Sequence, residues 1–170
     1  MSDAASVLKT IKDENIPFVD LRFTDPRGKW QHLAIDTSVV DEDMFSDGIM
    51  FDGSSIAGWK AINESDMTLM PDAATAVMDP YSAQPSLILI CDIVEPTTGQ
   101  AYGRDPRSLA KRAEAHVGFT GVGDATMFGP EPEFFVFDDV RYEVSMNSTF
   151  YAIDHEEGPY NTGADFADGN

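Results

Sequence analysis

Glu131 and Glu133 stand two residues apart in the otherwise apolar stretch Met127-Phe128-Gly129-Pro130-Glu131-Pro132-Glu133-Phe134-Phe135-Val136-Phe137-Asp138. In a strand both carboxylates point to one face, with their Cβ atoms roughly 7 Å apart at a rise of about 3.3 Å per residue. Two like charges held together are costly to bury unless a cation neutralises them, and a divalent metal is the simplest remedy. The alternative is a solvent-facing pair with no ligand. Pro130 and Pro132 lack N–H groups on one lateral edge, so the strand is expected to be unpaired there, at least locally.

A second stretch, Phe51-Asp52-Gly53-Ser54-Ser55-Ile56-Ala57-Gly58-Trp59, is too rich in Gly and Ser for the interior of an element and too aromatic for an idle linker. It reads as a structured loop. By sequence alone Asp52 is an Asp-Gly turn residue that hydrogen-bonds its own loop. Asp154-His155-Glu156-Glu157 reads as a solvated acidic loop rather than a weak metal site. His32 and His116 read as satisfied or solvent-facing, and Met67, Met70 and Met78 as core filler. Cys91, the single cysteine, lies in Leu87-Ile88-Leu89-Ile90-Cys91, where a buried inert thiol is expected.

The elements that must carry these groups follow from periodicity and punctuation. Ser2 is placed to cap a first helix with Val7, Leu8 and Ile11 as its apolar stripe, ended by Asn15 and Pro17. Val19, Leu21 and Phe23 alternate in a strand over 18–23, and Asp25-Pro26-Arg27-Gly28 turns it into a second over 30–35. Residues 41–45 form a short helix. Strands follow over 67–70, 76–78 and 87–94, the last so continuously apolar that burial on both faces is expected. Asp105-Pro106 opens a helix with Leu109, Ala113 and Val117 turned inward and Gly118 as its stop. The strand bearing Glu131 and Glu133 comes next, with 139–142 continuing it and loop beyond Glu143. Residues 104–170 thus supply about one helix and one or two strands, too little to bury a core of their own.

Composition excludes some functions. The chain has 30 acidic and 11 basic residues, a formal net charge of -19, and no basic stripe for a polyanion, which argues against nucleic acid. Hydrophobic residues make up 42%, enough for a core and too many for disorder. With Asp3 early, no apolar leader and no apolar run long enough for a bilayer, no membrane partner is expected, and the expected location is the cytoplasm.

Two motifs together resemble glutamine synthetase of the bacterial dodecameric type. Phe51-Asp52-Gly53-Ser54-Ser55 followed by Asn63-Glu64-Ser65-Asp66-Met67 is similar to the signature of that family's N-terminal domain. Phe128-Gly129-Pro130-Glu131-Pro132-Glu133-Phe134-Phe135 is similar to the first metal-binding strand of its catalytic domain. The resemblance implies an α+β chain, with a β-grasp-like domain over residues 1–103. Residues 104–170 would then begin an α/β catalytic domain with an antiparallel sheet.

The implied activity is that of a ligase of nitrogen metabolism, condensing glutamate with ammonia at the expense of ATP through γ-glutamyl phosphate, with Mg²⁺ or Mn²⁺ as the metal. Carboxylates are the hard ligands these ions prefer. By the same resemblance Glu131 binds the metal that serves the nucleotide and Glu133 the one nearer glutamate. Asp52 binds ammonium and accepts its proton, while Ser55, Trp59 and Asp66 shape that site. Active sites shared between adjacent subunits imply a homo-oligomer in which Asp52 and Glu131 of one chain serve different sites. The family's remaining metal ligands, its flap glutamate and its arginines would lie beyond Asn170, so the 170 residues alone are expected to be inactive. Other readings are a non-catalytic assembly or regulatory piece that docks into synthetase oligomers, and a ligase joining glutamate to another amine.

Overall fold

Asp3 caps the first helix in the computed structural model, which describes residues 3–164. Its carboxylate accepts from the Ser6 N–H at 2.8 Å and its own N–H donates to the Ser6 hydroxyl at 3.0 Å, satisfying two donors at the start of α1 (Ala4–Asp13). The cap is therefore Asp3, and the expected Ser2 lies outside the described residues. Val7 and Ile11 are buried with Leu8 beside them, and Asn15, at φ 50°, ends the helix in the left-handed conformation that Asn tolerates.

Strands β1 (Phe18–Thr24) and β2 (Trp30–Asp36) form the expected hairpin, in register from Phe18 opposite Asp36 to Thr24 opposite Trp30. A short helix α2 (Glu42–Ser46), capped by Asp41, precedes β3 (Ile49–Asp52), β4 (Asp66–Pro71), β5 (Val77–Met78) and β6 (Ser86–Val94). Five strands lie in the order β2-β1-β6-β4-β3, with β5 also on β6. The central pair is parallel, Phe18 to Arg22 facing Ser86 to Ile90, and every other pairing is antiparallel. Between β4 and β5 the ladder on β6 is carried by single groups. The Asp72 N–H donates to the Ile90 carbonyl at 2.9 Å, and the Thr75 hydroxyl accepts from the Ile90 N–H at 2.8 Å. Val19, Leu21, Met67, Leu69, Leu89 and Ile93 are fully enclosed and make the centre of the core. Cys91 is buried beside them, as expected, and burial pushes its thiol up to about 12, far from reactive.

Helix α3 (Pro106–Thr120) is tied to this sheet by its first turn. Asp105, 1% exposed, accepts from the N–H groups of Arg107 and Ser108, from the Ser108 hydroxyl at 2.5 Å and from the Ile93 N–H at 3.4 Å. Arg107 reaches Asp72 at 2.6 Å and Asp92 at 2.5 Å, and Lys111 reaches Asp92 at 2.5 Å. The expected inward stripe is not seen: Leu109 and Ala113 are exposed, Val117 is half-buried, and only Ser108 of the helix is buried. Polar anchoring at the N-terminus, not an apolar face, holds this helix. It also runs past Gly118 to a left-handed cap at Gly121. The chain divides into compact units between Thr126 and Met127, so the expected boundary between residues 103 and 104 falls within the first unit.

In the second unit β7 (Asp139–Val144) and β8 (Thr149–Asp154) pair antiparallel, from Asp139 opposite Asp154 to Val144 opposite Thr149. The loop expected beyond Glu143 is thus a turn at Ser145–Ser148 followed by a strand. The expected strand over Glu131 and Glu133 is absent: residues 125–137 belong to no regular element. A strand exists only through cross-strand hydrogen bonds. Pro130 and Pro132 lack donors, and among the described residues of this unit no strand pairs with the stretch. Asp154 is also no solvated residue. It is 1% exposed and accepts from the Asn161 side chain, the Thr162 N–H and the Thr162 hydroxyl, which holds its carboxyl below the ordinary range.

Candidate functional site

The last residue of β3 is Asp52, and the chain there turns through two successive tight bends before reaching Trp59. The Gly53 N–H donates to the Ser65 carbonyl at 2.7 Å, the Ile56 N–H to the Gly53 carbonyl at 3.2 Å, and the Trp59 N–H to the Ile56 carbonyl at 3.1 Å. Glycine is required at 53 because a Cβ would lie 2.6 Å from the Met67 sulfur and 3.0 Å from the Ser65 carbonyl. Asp52 Oδ1 accepts from the Ser54 N–H at 2.8 Å and the Ser54 hydroxyl at 2.6 Å. The Ser54 hydroxyl first, then its N–H, and more weakly the hydroxyls of Ser65 and Ser55, hold the exposed Asp52 carboxyl below its usual range. The carboxylate is therefore ionised and oriented by its own loop, as the sequence by itself indicates.

Asp66 stands directly opposite Asp52 across the β3–β4 ladder. Two like charges placed opposite each other repel, an arrangement a small cation relieves. Asp66 also lines an open cleft of roughly 740 Å³ together with Lys60, Ser65, Glu95 and Thr97. Ser55 is exposed beside Asp52. Trp59 is buried at 5% exposure, its ring 5.5 Å from Phe23, 6.2 Å from Phe51 and 5.4 Å from Tyr102. Its indole N–H has no acceptor among the described residues. Lys60 pairs with Glu95 at 2.6 Å and sits 5.4 Å from the centre of the Tyr102 ring.

Sequence reasoning missed Tyr102 and Arg104, and no local signal marks either residue. The Tyr102 hydroxyl donates to the Trp59 carbonyl at 3.0 Å, and Arg104 Nη1 to the Gly58 and Trp59 carbonyls at 2.6 and 3.3 Å. These contacts bridge more than forty residues of chain, beyond any periodicity.

Glu131 and Glu133 lie in the second unit, both exposed. Their oxygens suit a hard divalent ion. Such an ion takes about six ligands, however, and no group of three or more His, Cys, Asp or Glu side chains converges among the described residues. The donor chemistry fits a metal, and the donor number in these residues is incomplete. Asp52 and Asp66 are brought together in the first unit. Asp52 and the two glutamates fall in different units.

Residues 15–96 match the family model described as glutamine synthetase, beta-Grasp domain, and residues 103–168 match the one described as glutamine synthetase, catalytic domain. A glutamine synthetase of Azospirillum brasilense is 59% identical over 170 residues, all of this chain and 36% of the relative. A 3-hydroxylaminophenol mutase of Cupriavidus pinatubonensis is 54% identical over 166 residues, 98% of this chain and 35% of the relative. The chain thus spans about a third of the length of the curated relatives it matches. Among solved structures, a cryo-EM glutamine synthetase of Plasmodium falciparum superposes with a TM-score of 0.68 at 22% identity, over 90% of this chain and 30% of that one. That likeness concerns the fold, which is the expected α+β arrangement with a β-grasp-like sheet. Among the described residues no helix is long and apolar enough to cross a membrane.

Proposed function

The chain belongs to the glutamine synthetase family, and we propose that it forms the N-terminal part of an ATP-dependent ligase that condenses glutamate with ammonia. The observation that carries the reading is Asp52: an ionised carboxylate on a rigid turn, opposed by a second carboxylate at Asp66. Such a pair attracts ammonium. Because the Ser54 hydroxyl lowers the proton affinity of Asp52, the residue anchors the cation better than it accepts a proton while that bond persists. Proton acceptance requires the hydroxyl to release it. Ser55 borders the same position and contributes to binding.

Glu131 would hold the metal that serves ATP and Glu133 the one nearer glutamate, with other ligands completing each shell. Bound Mg²⁺ or Mn²⁺ would neutralise phosphate charge. The reading includes a boundary between residues 103 and 104, supported by one family model ending at 96 and the next starting at 103. It also includes a cytoplasmic dodecamer in which the Asp52 loop of one chain completes the site holding the glutamates of a neighbour.

The test is phosphate release from ATP with Mg²⁺, glutamate and ammonium, each omitted in turn. A protein of the relatives' length is expected to need all four, and Asp52→Asn to lower kcat about a hundredfold. The 170 residues alone are expected to release none. Turnover independent of ammonium would overturn the reading. One relative named a mutase is 54% identical, so the omission of ammonium is the decisive arm.

A further inference from the structure

We infer that Tyr102 and Arg104 are positioning residues for the Asp52 loop, which they hold at its far end. The near end is fixed where the Gly53 N–H meets the Ser65 carbonyl and where Asp52 receives the Ser54 groups. From Gly53 the bonds Ile56 to Gly53 and Trp59 to Ile56 run as a short ladder and stop at the carbonyls of Gly58 and Trp59. Gly58 takes φ +86°, a conformation open to glycine, and its carbonyl meets Arg104. The Trp59 carbonyl receives both the Tyr102 hydroxyl and the Arg104 guanidinium.

Tyr102 is itself fixed, and Arg104 stands between it and the capped start of α3. The Tyr102 N–H donates to the Ile93 carbonyl at 2.8 Å, Ala101 bridges to Val94, and the Tyr102 carbonyl accepts from Asp105, the buried cap of α3. Tyr102 is 7% exposed and its ring lies edge-on to that of Trp59. The loop therefore spans two rigid supports, the β3–β4 ladder and the segment joining β6 to α3. Charge-assisted donation from Arg104 and a buried hydroxyl bond are each stronger than a solvent-exposed neutral contact. With the far end released, the two bends can unwind towards Asp52, and the carboxylate loses its fixed orientation.

The consequence for ammonium rests on the reading of Asp52 given above; the positioning itself rests on geometry alone. Two measurements keep these apart. In the first, amide exchange of residues 53–59 is compared in Tyr102→Phe, Arg104→Gln and the double variant of this chain. The double variant is expected to exchange at the Gly53, Ser54, Ile56 and Trp59 amides at least about tenfold faster, with β1 and β6 unchanged. Unchanged loop exchange, or equal acceleration throughout the sheet, overturns the inference whatever the enzyme does.

In the second, the protein of full relative length carries the same changes. KM for ammonium is expected to rise about tenfold with KM for glutamate within twofold, and Arg104→Lys, which keeps the charge and a donor, to restore most of it. A uniform fall in kcat with no change in KM for ammonium overturns the catalytic part. Should the unmodified enzyme show no ammonium dependence, the functional reading fails while the exchange result still decides the positioning.

Discussion

The sheet of the first unit and the hairpin of the second are written in the same alternating code, with opposite results. In β1, Val19, Leu21 and Phe23 are enclosed; in β7 and β8, Val140, Tyr142, Val144, Phe150 and Tyr151 are exposed, and so are Phe128, Phe134 and Phe135 before them. The buried hydrophobic core of the described residues ends at Tyr102. Alternation decides which face of a strand is apolar, and a second layer decides whether that face is buried. The first unit has α1, α2 and the folded loop at Ile56 and Trp59 to provide that layer. Among the described residues of its own unit no helix covers the hairpin, and Phe137, His155 and Tyr160 pack only at its end.

Amide exchange should separate the two regions most widely. Protection in β1 and β6 is expected to exceed that in β7 and β8 about a thousandfold or more, because one opens only with the global transition and the other locally. Comparable protection would show that the hairpin is covered in solution. Next in size, Leu89→Ala is expected to destabilise the first unit by about 3 kcal/mol in denaturant, against under about 0.5 kcal/mol for Phe135→Ala. A large effect of Phe135→Ala on cooperative unfolding would break the contrast.

Asp105→Ala is expected to cost about 2 kcal/mol, since it removes a cap and leaves buried donors unsatisfied. If it only frays α3 and leaves the midpoint of the sheet unchanged, that helix is not part of the first unit's cooperative structure. The smallest effect is in acid. Burial is the largest single influence on Asp72 and opposes its ionisation, but the hydrogen bonds from Arg107 and the Ala74 N–H, together with the charges of Arg107 and Lys111, outweigh it and lower its pKa. A depressed native pKa contributes stability that is present above the unfolded value of about 3.9 and lost as pH falls through the native one. Asp72→Asn should therefore flatten the loss of stability of the first unit below about pH 4. Asp154, lowered by the Thr162 hydroxyl, should affect only signals of the second unit. An unaltered acid limb in Asp72→Asn would contradict the assignment.

The sequence is legible where an element's cause is local. The hairpin at Asp25–Gly28, the Asp105-Pro106 helix start and the strand through Leu87 each announce themselves by turn chemistry, cap chemistry or an unbroken apolar run. The loop after Asp52 is recognisable because Gly and Ser sit among aromatics. What holds it is not, since Tyr102 and Arg104 act across more than forty residues. The strand expected over Glu131 and Glu133 fails for the same reason: pairing is a property of the neighbour, which an extended sequence cannot supply for itself. The stripe on α3 misleads because the helix is held by Asp105 and Arg107, whose partners in the sheet lie on β6 and in the turn between β4 and β5.

The parallel pairing of β1 with β6 also sets an order of events during synthesis. Residues 18–22 find their central neighbour only in residues 86–90. Translated from the N-terminus, the first hairpin must wait with one edge bare until nearly the whole sheet has been made. Topologies dominated by such distant contacts fold slowly, and open strand edges recruit other chains. Arg22, bound to Asp20 at 2.7 Å and Asp79 at 2.6 Å in the finished fold, places a charge on that waiting strand. A nascent chain stalled before residue 86 is where self-association should be sought.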